Sequence, residues 1–430
     1  MRCSSLALTL LAATAVTACS HRNTGDPSPA RSEERPALPS AEFALGYQPG
    51  KGELEIQRAQ RELRSRPGQA GDYARLAQAF LRRERETADS TFAAYAEDAL
   101  IAAEARDPRD PEVMTASILR LHQQHRFAEA RDAARALIAA APDSSTGILL
   151  LGDALLELGD YAAATEAYQR ALDLQPDLRS YSRGAYVTWL HGDVAGALEL
   201  MEQALQAAGP GGAEPAAWCF VEVGDMLRRR GKYRAAVNAA ERAIKLVADY
   251  LPARALRARA RAQLGERDAA IAELGEVVAR RPAAEQLLIL ADLLDQAGRG
   301  EEAAGRIAQA EKLASHDPLP LALFYARHRR SPERAVQLAE QAVRERPSIF
   351  AADAQALALL RAGRLAEARE AMKLALRLDT PSAELHIHSG LIALAAGDRA
   401  AAGASLARAR SIEPAADTVL VAELERGLSR

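Results

Sequence analysis

Aromatic residues make up only 4% of this 430-residue chain, and just two of its residues are tryptophan. Sheets draw heavily on aromatic and β-branched side chains, so the shortage argues against a strand-built fold. Three cysteines, at positions 3, 19 and 219, are too few for a disulfide framework. The formal net charge is −3, with 55 basic against 58 acidic residues. That balance lacks the basic excess of a general nucleic-acid binder, and no nucleic-acid partner is expected. No apolar run reaches the roughly 20 residues that a membrane-spanning helix needs. GxSxG, HExxH, paired CxxC, and GxGxxG behind a strand are all missing. With no seat for that chemistry, no enzyme, cofactor or metal site is expected.

What is abundant is alanine, leucine, arginine and glutamate, with 26% charged residues. This mixture favours helices, so an all-α fold is expected. The N-terminus has its own pattern. Met1 and Arg2 precede an apolar run from Leu6 to Val16, followed by small residues, as in an exported protein's signal peptide covering 1–18. Val16, Thr17, Ala18 and Cys19 resemble the lipobox of bacterial lipoproteins, in which the cysteine is acylated after cleavage. The resemblance implies lipidation at Cys19; the alternative is an ordinary secretory signal with an incidental cysteine. Ser20 after the cysteine favours, by similarity to enterobacterial sorting, the outer membrane, with its periplasmic face. Residues 19–49 are rich in proline, serine, arginine and glutamate, and are expected to form a disordered tether. Cys219, alone in the exported part, is expected to be a buried small hydrophobe, the alternative being a reactive thiol.

Prolines recur at 108, 142, 176, 282, 347 and 414, with gaps of 34 residues or near multiples of it. The clearest unit is STGILLLGDALLELGDYAAATEAYQRALDLQP, residues 145 to 176. In it Leu151, Gly152 and Leu155 are followed by a turn at Gly159 and Asp160, then by Tyr161, Ala164, Tyr168, Ala171 and Pro176. This resembles the consensus of tetratricopeptide repeats (TPR), which implies a solenoid of helical hairpins coiled into a right-handed superhelix. Gly152 and Ala164 are small where the two helices cross, Gly159 caps the first helix, and Pro176 stops the second. The turn glycine recurs at 192, 231, 265, 298, 363 and 397. The small crossing residue recurs as Ala130, Ala197, Ala236, Ala270, Ala303, Ala335, Ala368 and Ala402. About ten hairpins fit in a TPR array over 70–415, between capping helices at 50–69 and 416–430. The first unit carries an insertion around Arg82 to Ser90, and a GPGG stretch breaks the spacing near 210. HIHSGLIALAAGD, from His386, resembles a stretch of uncharacterised bacterial TPR proteins.

The resemblance implies a scaffold that binds an unknown protein or peptide on a concave wall lined by the first helix of each unit. The residues expected there are Arg179, Ser182, Tyr186 and Trp189 in one unit, then Trp218, Val221, Asp225 and Arg228 in the next. Tryptophan, tyrosine and arginine together are what interface hot spots favour, the alternative being that the aromatics pack as core. Arg254, Arg257 and Arg261 share one helix face. They either pair with carboxylates such as Glu222 or Glu241 of an adjacent unit or hold a phosphate or acidic peptide. His386 and His388 point to opposite sides of a helix, and His122 and His125 lack acidic companions, so neither pair is expected to hold a metal. Gly231, Lys232 and Tyr233 look like the end of a phosphate-binding loop but lack its earlier glycine and following hydroxyl, and read as a repeat turn. A scaffold on a lipid anchor, an assembly or localisation factor for an envelope complex, and an enzyme with its site in the groove are the three functional readings, the last carrying no motif.

Overall fold

The computed structural model describes residues 39–50, 53–209, 212–415 and 418–430. The expected signal peptide, Cys19 and the expected tether up to residue 38 lie outside them. The described residues form 23 helices, α1 to α23, and no strand. Helices α3 to α22 pair into ten antiparallel hairpins, units one to ten. Helix α2 (Leu54–Ser65) covers the open face of unit one with Ile56, Ala59 and Leu63, and α23 (Thr418–Ser429) covers unit ten with Leu420 and Leu424. No unit buries both of its faces alone, so these half-units close the ends of the stack.

Unit three, α7 (Ser145–Glu157) and α8 (Tyr161–Leu174), shows how local sequence makes a hairpin. The Ser144 side chain caps α7 by accepting from Gly147 N at 3.1 Å, and Asp160 caps α8 by accepting from Ala163 N at 3.2 Å. Between them Gly159 takes φ +72°, a left-handed conformation that costs a Cβ-bearing residue roughly 1–2 kcal/mol. All seven turn glycines have φ between +70° and +93°. In the three units without one, Ala88, His125, and Arg329 with Ser331 take the left-handed role. The alanines at the crossing positions are buried throughout, from Ala130 to Ala402. Gly152 is small for a more specific reason than the crossing. A Cβ there would lie 2.4 Å from Cε1 of Tyr168, whose ring fills the space and whose hydroxyl donates to Asp153 at 2.9 Å.

The array also touches itself edge to edge. At five places the turn inside one unit rests on the linker that follows the unit five places later. In unit one, α3 (Ala70–Thr87), Thr87 O accepts from Arg280 Nη2 at 3.1 Å, and Glu84 pairs with Arg281 at 3.1 Å. In unit two, His125 and Phe127 share a small cavity with His316, Asp317 and Pro318. In unit three, a Cβ on Gly159 would lie 2.3 Å from Pro347 O. In unit four, Thr380 Oγ1 donates to Leu190 O at 2.6 Å while Gly192 faces Asp379 O. In unit five, Gly231 faces the ring of Pro414. Three turn glycines thus have a second duty, letting the next winding approach closely.

The insertion around Arg82 to Ser90 lengthens α3, and its added turn carries Glu84, Arg85 and Thr87, which reach units five and six, Arg85 lying 3.6 Å from Glu214. Residues 39–49, expected to belong to a disordered tether, are instead packed on the first unit. Ala41 and Ala44 of the α1 region (Glu42–Gly46) are buried, and Tyr47 packs its ring against Phe80, Phe92 and Tyr95. Phe43 stacked on Tyr95, together with Tyr47 and the two buried alanines, gives this segment apolar contacts that offset its ordering entropy.

Candidate functional site

The inner wall is laid down by the first helix of each unit. In α9 (Leu178–Leu190), Tyr186 and Trp189 stack with centroids 5.8 Å apart and planes at 30°. In α11 (Ala213–Arg229), the stripe through Trp218, Glu222, Asp225 and Arg229 recurs at helical spacing. Phe350 arrives from α19 (Ile349–Arg361), in the next winding. Together Tyr186, Trp189, Glu222, Asp225, Met226, Arg229 and Phe350 enclose a cavity of about 190 Å³. Small-molecule pockets run to roughly 300–1,000 Å³, so this one accepts a single side chain rather than a cofactor.

Charge in the cavity is unevenly paired. Asp225 accepts from Arg229 Nε at 2.6 Å and from Arg228 Nε at 2.9 Å. Burial opposes its ionisation, but Arg229, Arg228 and Arg259 outweigh that and hold the carboxyl well below its usual range. Arg229 also lies 5.6 Å over the Trp189 ring and senses Glu384 of unit ten across the lumen. Glu222 has no such clamp. Burial first, then the Asp225 charge, push it up to about 7, with Arg229 only partly opposing. Among the described residues its carboxylate takes no hydrogen bond or ion pair.

Of the six residues expected on the wall, Tyr186, Trp189 and Asp225 line the cavity. The other three do not. Arg179 is held by Asp177 at 3.0 Å and Thr146 at 3.0 Å. Trp218 lies half-buried against the cluster around Trp189, one turn before Glu222. Arg228 turns into the protein, 7% exposed, with Asp225 on one side and Glu413 of the next winding at 3.9 Å on the other. Sequence reasoning missed Glu222 and Arg229 because their stripe is rotated by about 100° per residue from the Val221 and Arg228 positions. Phe350 carries no local signal, since only the winding of the array brings it there.

The other singled-out groups have plainer surroundings. Arg257 Nε donates to Glu273 Oε1 at 3.0 Å, Arg261 Nη1 donates to Glu273 Oε2 at 3.3 Å, and Arg254 Nε lies 3.6 Å from the same carboxylate. Glu273 is buried on the second helix of the same hairpin, so the partner is neither Glu222 nor Glu241, and the arginines are not vacant for a phosphate. His388 is buried and hydrogen-bonded to Asp353 at 2.8 Å, whereas His386 leaves Nε2 without a partner. His122 Nε2 meets Leu150 O at 3.2 Å, and His125 stacks on Phe127 in the turn, so the two imidazoles are not neighbours on one helix face. The Cys219 thiol is fully buried and burial pushes it up to about 12, which gives it the character of a small hydrophobe.

A family model described as tetratricopeptide repeat matches residues 149–213, 255–318 and 354–417. Its fold is a tetratricopeptide-repeat solenoid. Tetratricopeptide repeat protein 36 from Homo sapiens is 36% identical over 105 residues, 24% of this chain and 55% of that protein. The chain spans about half the length of the curated relatives it matches. Among solved structures, yeast Tom70 is similar at 14% identity with a TM-score of 0.41, covering 87% of this chain and 91% of that one. A human IFIT1 dimer with PPP-AAAA is similar at 14% identity with a TM-score of 0.46, covering 88% and 99%. A TPR solenoid supports an interaction scaffold as the class of function.

Proposed function

We propose that this TPR protein is a scaffold tethered to the cell envelope, holding a protein or peptide partner on its inner wall at the Tyr186 and Trp189 cavity. The observation that carries it is the cavity itself: two stacked rings, a third ring from the next winding, and charged groups beside them. Rigid aromatics in a sheltered pocket beside charge are the usual anchors of binding energy. Size favours one anchoring side chain, with the rest of the partner lying outside the pocket. Near-neutral charge and the missing catalytic motifs weigh against nucleic acid as partner and against an enzyme.

Cys19 supplies the tether in this proposal. Several acyl chains, each buried methylene contributing about 0.8 kcal/mol, hold a protein on a bilayer without a spanning helix. No described helix is long and apolar enough to cross a membrane. Ser20 favours the outer membrane, its periplasmic face. Two experiments test the halves separately. Recovery of a defined partner from solubilised envelopes is expected to be lost in Trp189→Ala and retained in Trp218→Phe; equal recovery in both excludes the cavity. Cys19→Ala is expected to release the protein from membranes and abolish fatty-acid labelling, and a variant that stays anchored refutes the lipid tether. Service as an assembly or localisation factor for an envelope complex is a narrower form of this scaffold, and a deletion strain with intact surface assemblies counts against it.

A further inference from the structure

We infer that the cavity between α9, α11 and α19 is a receptor for a long cationic side chain, a lysine or arginine presented by the partner, with Glu222 as its counter-charge. This rests on the scaffold reading above and names the chemistry that the wall selects.

Most charges around the cavity are already paired. Asp225 is satisfied by two guanidiniums at 2.6 and 2.9 Å; Arg228 also lies 3.9 Å from Glu413 of the next winding, and Arg229 feels the charge of Glu384 there. The Arg229 charge is therefore balanced by Asp225 and Glu384, so a carboxylate drawn toward it would compete with a pair already formed. Glu222 is different, because it lines the same cavity and among the described residues has no hydrogen bond or ion pair of its own. A half-buried carboxylate without a partner is an unfavourable arrangement that an incoming ammonium relieves.

The rest of the lining agrees. Tyr186 and Phe350, both partly exposed, offer π surface that attracts a cation and also covers the methylene stem of a lysine or arginine, while Trp189, 5% exposed with Tyr186 stacked on it and Arg229 over its ring, backs the lining. Met226 adds an adaptable apolar contact. Volume sets the upper limit: about 190 Å³ admits one extended side chain and excludes a helix or a nucleotide. An aliphatic side chain would fill the hole but leave Glu222 bare, and an acidic one would meet Glu222 head on.

The groups facing Glu222 give binding a characteristic pH dependence. They are Asp225, Arg229 and Cys219 on its own helix, Tyr250 at the start of α13 (Leu251–Gln263), and Tyr186 from α9, which in turn senses Glu157 and Tyr161 of unit three. Glu222 sits at about 7 in the free protein, so a cation that needs its ionised form binds more tightly as pH rises through that value.

The chain's two tryptophans make the test direct. In Trp218→Phe, Trp189 is the sole indole, and its fluorescence reports occupancy of the cavity. The probes are the N-acetyl methylamides of lysine, arginine, norleucine and glutamate at tens of millimolar. The lysine or arginine probe is expected to give a saturable change that weakens at least tenfold in Glu222→Gln and tightens from pH 6 to pH 8. An equal response to norleucine reduces the cavity to an apolar slot, a response to glutamate makes it an anion site, and no saturable response to any probe leaves it no receptor; each overturns the inference. Since Glu222 takes no partner, the Gln variant is expected to melt with its parent. Partner recovery that depends on Trp189 but not on Glu222 would sink the cationic reading and leave the scaffold standing.

Discussion

The phenol oxygen of Tyr161 accepts a hydrogen bond from the backbone N–H of Ile349 at 3.0 Å, across 188 residues of chain. Tyr161 sits at a position whose aromatic character fits the inside of its own hairpin. Its hydroxyl has a separate use, joining unit three to the start of unit nine. Tyr161→Phe keeps the ring and strands a buried amide, which costs about 1–3 kcal/mol. A denaturant midpoint unchanged from the parent would show that this amide finds water instead.

The turn glycines offer a controlled comparison. Gly159 and Gly265 both have positive φ, +72° and +86°, but only at Gly159 does the next winding crowd the position, with Pro347 O at 2.3 Å from a Cβ. Both alanine variants suffer the left-handed penalty of roughly 1–2 kcal/mol. Gly159→Ala is expected to lose more than Gly265→Ala in matched urea titrations, the excess measuring the edge contact. Equal losses would mean that the windings do not press together in solution.

Glu273 holds three guanidiniums, and removing its charge leaves Arg257 without a carboxylate among the described residues, while Arg254 keeps Glu276 and Arg261 keeps Glu266. Glu273→Gln is expected to cost about 3 kcal/mol, the low end for breaking a buried pair because the arginines keep some water contact. Arg261→Ala, which removes only one outer partner, is expected to cost clearly less. The reverse order in melting experiments would contradict a carboxylate-centred cluster.

His388 provides a pH signature. Burial disfavours its charged form, but the Asp353 carboxylate outweighs that and raises it above its ordinary 6.5. A raised folded value stabilises fully below that ordinary value and is lost as pH climbs through the folded one. Stability of the parent relative to His388→Asn is therefore expected to decline as pH rises above about 6.5. A constant difference across that range would show that the imidazole does not titrate.

Replacing Gly152 by leucine drives a side chain into the Tyr168 ring and is expected to cost about 1–3 kcal/mol as overpacking. The same change at Gly305, where nothing lies within 4 Å of an added Cβ, is expected to leave the melting curve close to the parent's.

The hairpins were legible because their signals are local. Gly159, Asp160 and the small residue at 164 follow from turn geometry and helix crossing, each within one unit, and repetition strengthens them. The site was legible in part for the same reason: Tyr186, Trp189 and Asp225 sit on first helices, whose inward face spacing approximates. Glu222 and Arg229 were missed because one residue rotates a helical side chain by about 100°, finer than a spacing argument resolves. Phe350, Glu413 and Glu384 were invisible because no period in the sequence reports which units meet after winding. The arginine cluster shows the converse: need for a carboxylate was readable, its address was not.

The rule that each early turn rests on a linker five units later also governs the order in which the chain is completed. Unit one cannot seat until unit six has been synthesised, and unit five waits for Pro414, near the C-terminus. During synthesis the first half of the array is a row of finished hairpins with one flank unclothed, and its edge contacts close one by one as units six to ten are added. A chain cut after unit six would close one of these five contacts and leave four turns without the surface they were shaped for.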